Sequence, residues 1–136
     1  PEVGNMSSTH SANPLVCAAG LAVLKEIKNL NLLEETTRKG KILISKLNQI
    51  KNKYPDRISY VFGKGLIAAI LFKDPENNLP DHLIASVVSQ KCMQKGLLVV
   101  HTGRESIKIG PPLIISDDAL IEGLDVLSES ISEAIN

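Results

Sequence analysis

The sequence predicts an α+β fold, a small and mostly antiparallel sheet of three to four strands covered by helices. Three observations predict it. Helical and strand periodicities follow one another in the order helix, helix, strand, strand, helix, strand, strand, helix. The strand-length apolar runs come in pairs joined by glycines or a short polar turn, the connection that antiparallel neighbours use. The 136 residues, 43% apolar and 22% charged, suit one ordinary globular domain. A chain of that length buries roughly two thirds of its unfolded surface.

Residues 1–12 are polar, rich in Ser and Thr, and without periodicity, so they read as loop. Asn13-Pro14 starts the first helix, with Asn as N-cap and Pro at the first helical position. That helix, Leu15 to Leu30, carries no charge before Lys25 and is apolar all round its first turns, which calls for cover on every side. A second helix runs from Leu32 to Asn52. Leu32, Thr36, Leu43, Leu47 and Ile50, with Ile44 beside them, form its stripe, and Glu34, Glu35, Arg38, Lys39, Lys41, Lys46 and Lys51 face water.

Ile58, Tyr60 and Phe62 alternate with Ser59 and Val61 as a strand, and Leu66 to Phe72 is a second, joined to it at Gly63-Lys64-Gly65. After the loop from Lys73 to Asp81, a helix spans His82 to Lys95, with Leu83, Ile84, Val87, Val88 and Cys92 on one face and Gly96 as its C-terminal cap. Leu97 to Val100 and Ile107 to Ile109 are short strands around a polar turn, and Pro111-Pro112 forbids further central pairing. Ser116 caps the last helix, whose first turn holds Asp117 and Asp118 where the dipole favours anions. Leu120, Ile121, Leu124, Leu127 and Ile131 are its buried stripe.

Fifteen basic and fifteen acidic side chains cancel, so there is no basic footprint for nucleic acid and no attraction to an anionic membrane. The apolar part of the longest uncharged stretch is too short to span a bilayer, and no signal peptide is visible. Cys17 and Cys92 stand far apart in apolar company. They read as buried free thiols in a reducing, cytoplasmic setting, and no Cys/His cluster offers a metal site.

Candidate chemistry is sparse. Ser7-Ser8-Thr9-His10-Ser11 precedes a helix start, which makes either an anion site or a capping loop whose hydroxyls serve local backbone. His101 to Ser106, with Arg104 inside it, is either a solvated hairpin tip or a cation beside a pocket. Lys108, between Ile107 and Ile109, points away from both, toward solvent or toward a ligand. No phosphate-cradling glycine motif and no nucleophile elbow is present, so the motifs contain no complete catalytic apparatus.

The run Ser8-Thr9-His10-Ser11-Ala12-Asn13-Pro14-Leu15-Val16-Cys17-Ala18-Ala19-Gly20-Leu21-Ala22 resembles a hallmark segment of the class III aminotransferases, pyridoxal-phosphate enzymes of fold type I. Gly63-Lys64-Gly65-Leu66-Ile67, Lys95-Gly96-Leu97-Leu98-Val99 and Ile107-Lys108-Ile109-Gly110-Pro111-Pro112-Leu113-Ile114-Ile115 resemble further family stretches in the family's order. The resemblance covers essentially the whole chain. It implies that residues 1–12 lead from a large domain and that residues 13–136 form the C-terminal small domain with its connecting helix. It implies that Thr9, with Ser8 as helper, reaches the pyridoxal 5'-phosphate of the other subunit in a homodimer. The family often carries a carboxylate-clamping arginine at the position of Lys108. Lysine there is a point charge and not a fork, and Arg104 is the substitute to consider. The Schiff-base lysine and the aspartate facing the ring nitrogen are expected before Pro1, so the isolated chain is not expected to hold the cofactor or to transfer amino groups between a small-molecule amine and a keto acid. The alternative, from another class, is a stand-alone α+β module that binds a ligand or partner without catalysis.

Overall fold

A computed structural model of the chain describes residues 12–101 and 103–135. The chain divides into two units, Pro1–Leu33 and Glu34–Asn136. The first contains α1 (Pro14–Asn29), which starts as its sequence dictates: Asn13 Oδ1 accepts the Leu15 N–H at 2.9 Å, with Pro14 in the first turn. Its end is closed by the Leu30 N–H, which donates to Glu26 O. No residue of α1 is buried, and Leu15 is 79% exposed. Cys17, expected to be a buried thiol, is exposed, whereas Cys92 is buried.

α2 (Leu32–Lys53) begins at the boundary between the units. The second unit is built on a four-stranded, wholly antiparallel sheet in the order β1-β2-β4-β3, from β1 (Ile58–Lys64), β2 (Ile67–Phe72), β3 (Val100–His101) and β4 (Ser106–Ile109). α3 (His82–Gln94) and α4 (Asp117–Ile135) complete it. Ala68, Ile70, Phe72 and Ile107 fill one face of the sheet. They share an apolar, largely aliphatic core with Leu43, Leu47, Val88, Cys92, Leu124 and Ile131 of the helices. None of the described helices is long and apolar enough to cross a membrane.

The departures from expectation have local causes. The β1–β2 register shifts between Ile58 and Tyr60, so the alternation of β1 changes phase there. Ile58 stays in the core, Val61 faces Ile70, and Tyr60 turns outward at 65% exposure. In α3 the buried line is Ala85, Val88 and Cys92, not the larger stripe, and Leu83 is 67% exposed. The Asp81 side chain caps that helix by accepting from Leu83 and Ile84 N–H, and Gly96 leaves it at φ +85°. The Leu97 N–H is committed to Cys92 O at 2.9 Å, so the third strand starts at Val100 and not at Leu97.

Lys39 is the clearest correction. Expected on the water face of α2, it is 8% exposed and donates from Nζ to Ile115 O at 2.6 Å. The buried ammonium is tolerated because it also lies 3.7 Å from Glu35 Oε2.

Candidate functional site

The alternation of β4 decides where the cations go. Ile107 and Ile109 turn toward the core, so Lys108 stands on the outer face of the sheet, opposite Ala69 on β2 and Val100 on β3. At the other side of β2, Lys64 pairs with Ile67, whose side chain is also on the outer face. The two lysines thus share one face. Both line a cleft of about 410 Å³ with Thr36, Leu66, Ile67, Val100, Gly110, Pro111 and Leu113. No carboxylate lines the cleft, and among the described residues neither lysine has an ion-pair or hydrogen-bond partner.

The walls of the cleft are fixed by the first turns of α2. A Cβ on Gly40 would lie 2.5 Å from Gly65 O, so the helix backbone rests directly on the β1–β2 turn that carries Lys64. Gly65 sits at φ +57°, which glycine adopts without strain, and the Thr36 methyl occupies the space where its Cβ would be. Lys39 also holds Ile115, in the β4–α4 loop that brings Gly110, Pro111 and Leu113 to the cleft. Arg38 donates to both Asp117 carboxylate oxygens, at 2.7 and 2.8 Å, and to both oxygens of Glu35, at 2.8 and 3.1 Å. These charge-assisted bonds hold the carboxyls of Asp117 and Glu35 below the usual carboxylate range and push the Arg38 guanidinium up. One short stretch of helix therefore anchors both the turn and the loop that border the cleft.

A second cavity, of about 280 Å³, lies against α4 and is lined by Leu97, Val99, Ile109, Pro111, Leu120 and Leu124, among others. Its lining is aliphatic apart from Lys108, and Gly123 gives it depth, since a Cβ there would meet Leu97 Cδ1 at 3.3 Å. Arg104 sits in the β3–β4 turn with an exposed side chain 3.7 Å from Glu105 and lines neither cavity, and its carbonyl lies 3.2 Å from His101 Nε2. Thr9 and Ser8 lie outside the described residues. Burial pushes the Cys92 thiol up, which makes it an inert core side chain. No group of His, Cys, Asp or Glu among the described residues is arranged to hold a metal. Of the residues flagged in the sequence, Lys108 is the one that meets a cleft. Lys64 was hidden in a Gly-Lys-Gly turn, and only strand register shows which face it takes.

Comparison with known proteins places this arrangement. Residues 1–131 match the family described as aminotransferase class-III. The chain belongs to the class III aminotransferases. It is 33% identical over 135 residues to the mitochondrial acetylornithine aminotransferase of Candida glabrata, covering 99% of this chain and 30% of that protein. It is 34% identical to the 4-aminobutyrate aminotransferase of Escherichia coli, covering 96% of this chain and 31% of that one. Among solved structures, the acetylornithine aminotransferase of Elizabethkingia anophelis superimposes with a TM-score of 0.81 at 28% identity, over 98% of this chain and 32% of that chain. The chain thus spans about a third of the length of the relatives it matches.

Class III aminotransferases are a pyridoxal-phosphate family, and the described residues do not by themselves fit that group. Lys39, the buried amine among them, is committed to Ile115 O. The cleft between Lys64 and Lys108 offers no aromatic ring on which a pyridine could stack.

Proposed function

We propose that this chain is the C-terminal small-domain part of a cytoplasmic, pyridoxal-phosphate-dependent aminotransferase. The whole enzyme transfers an amino group between an amino donor and a keto acid or aldehyde. The cofactor, when bound, supplies the electron sink, and the protein supplies binding and orientation. The observation that carries this reading is the family match along residues 1–131. In it, Thr9 and Ser8 contact the cofactor phosphate across a homodimer, and Lys108 attracts the substrate carboxylate from the outer face of the sheet. Arg104 is the weaker candidate, because its side chain stands in the turn beside Glu105, away from the cleft. The imine-forming lysine belongs to the large domain of the whole protein.

Absorbance spectroscopy tests the reading. The full-length protein mixed with pyridoxal phosphate acquires a stoichiometric yellow band that survives dialysis and is lost on borohydride reduction, and the 136-residue chain does not. A dialysis-stable yellow band in the 136-residue chain, or none in the full-length protein, refutes it.

A further inference from the structure

A lysine at position 108 poses a chemical problem for carboxylate recognition. One ammonium is a point charge and does not grip both oxygens as a guanidinium fork does. The structure supplies a second point charge on the same face. Lys64 and Lys108 stand on the two strands that flank β2, opposite Ile67 and Ala69, which are two residues apart. Strands lie about 4.8 Å apart and rise about 3.4 Å per residue, so the two Cα atoms are separated by roughly 12 Å. Flexible four-carbon stems on both sides close much of that gap. Ile67 lies between them on β2, Val100 lies beyond Lys108 on β3, and Leu113 extends this aliphatic surface, with no acid among the described residues that line the cleft. The surroundings are held in place by the Gly40–Gly65 contact next to Lys64 and by the Lys39–Ile115 bond in the loop that carries Leu113.

We propose that Lys64 is a second carboxylate-binding cation, acting with Lys108 to hold the head group of an aliphatic carboxylate whose hydrocarbon part lies on Ile67, Val100 and Leu113. Two point charges from the strands on either side of β2 then do what one arginine fork would do. The apolar floor selects an aliphatic acid over an inorganic oxyanion, because phosphate gains nothing from burying that surface. The assignment of this ligand as substrate rests on the aminotransferase reading above, whereas its binding does not.

The test is a titration of the full-length protein with butyrate, acetate, inorganic phosphate and butyramide, following the lysine side-chain NMR signals. Butyrate shifts Lys64 and Lys108 saturably, acetate and phosphate bind more weakly, and neutral butyramide does not bind. Lys64→Met and Lys108→Met each weaken butyrate about tenfold, the loss of one charged contact, and Lys64→Arg and Lys108→Arg retain it. An unchanged urea midpoint establishes that each variant is folded. Wild-type butyrate affinity in Lys64→Met, tighter binding of phosphate than of butyrate, equal binding of butyramide, or no saturable shift would each overturn the proposal. Turnover is assayed separately. Absence of turnover with intact butyrate binding refutes the aminotransferase reading and leaves this one standing.

Discussion

Single residues in this chain earn their places by what they are bonded to. Lys39 is accommodated in the interior because its ammonium has both a carbonyl and a carboxylate, whereas Ser130 Oγ is buried with the Cys92 thiol, a weak hydrogen-bonding group, beside it. A poorly paired buried hydroxyl is destabilising, and alanine is the better helix former. Ser130→Ala therefore stabilises the chain by about 1 kcal/mol, read as a higher urea midpoint at unchanged slope; a lower midpoint contradicts the account. The Arg38 cluster makes a different prediction. Asp117 and Glu35 have carboxyls depressed by Arg38, so their stabilising effect is present above the usual carboxylate range and is lost as pH falls through it. Stability measured from neutral pH downward declines in that acid window, and Arg38→Met makes the decline shallower by removing the cause of the depression. A slope unchanged by that substitution would show that the exposed cluster contributes nothing to folding, as many surface pairs do.

At the scale of elements, the decisive contact is between backbones, α2 against the β1–β2 turn. Gly40→Ala forces a methyl within 2.5 Å of Gly65 O, and overpacking of that kind costs about 1–3 kcal/mol. Gly20→Ala in α1 meets nothing within 4 Å and is neutral or stabilising by roughly 0.5–1 kcal/mol, the ordinary helix-propensity gain. A denaturation midpoint that falls in Gly40→Ala and does not fall in Gly20→Ala checks the argument, and an equal fall in both refutes it. This pair also shows what a sequence conveys. Both glycines read alike in a helical pattern, since the neighbour that distinguishes them is 25 residues away in the chain. α2 and α4 were legible because many apolar positions repeat at helical spacing, so one misplaced residue does not shift the stripe. The phase of β1 was not, because a single bulge at Ile58/Tyr60 reverses every later side chain. Lys108 was legible from its isoleucine neighbours alone, whereas Lys64 needed the pairing of Lys64 with Ile67 before it could be placed on the same face.

For the molecule as a whole, the contrast lies between a unit with a closed core and a helix without one. Residues 34–136 bury a continuous aliphatic cluster, while α1 presents Leu15, Val16, Leu21 and Leu24 uncovered. A helix of 16 residues with nothing buried relies on its own propensity and its cap, and helices shorter than about 12–15 residues are marginal in water even with the best sequences. α1 is only slightly longer and contains Gly20 and two valines, Val16 and Val23, all of which weaken it further. Its apolar surface fits a chain in which further protein covers it, as expected if the full-length enzyme is about three times as long, like the relatives matched over about 30% of their length. Native-state hydrogen exchange measures this directly. In the 136-residue chain the amides of α1 open at free energies near zero, while those of Leu47, Ile70 and Leu124 open only with global unfolding. In the full-length protein the α1 amides become protected to the level of the surrounding core. Core-like protection of α1 in the short chain would show that the helix is covered from within it, and absence of protection in the long one would show that its apolar surface is not the covered face of a larger enzyme.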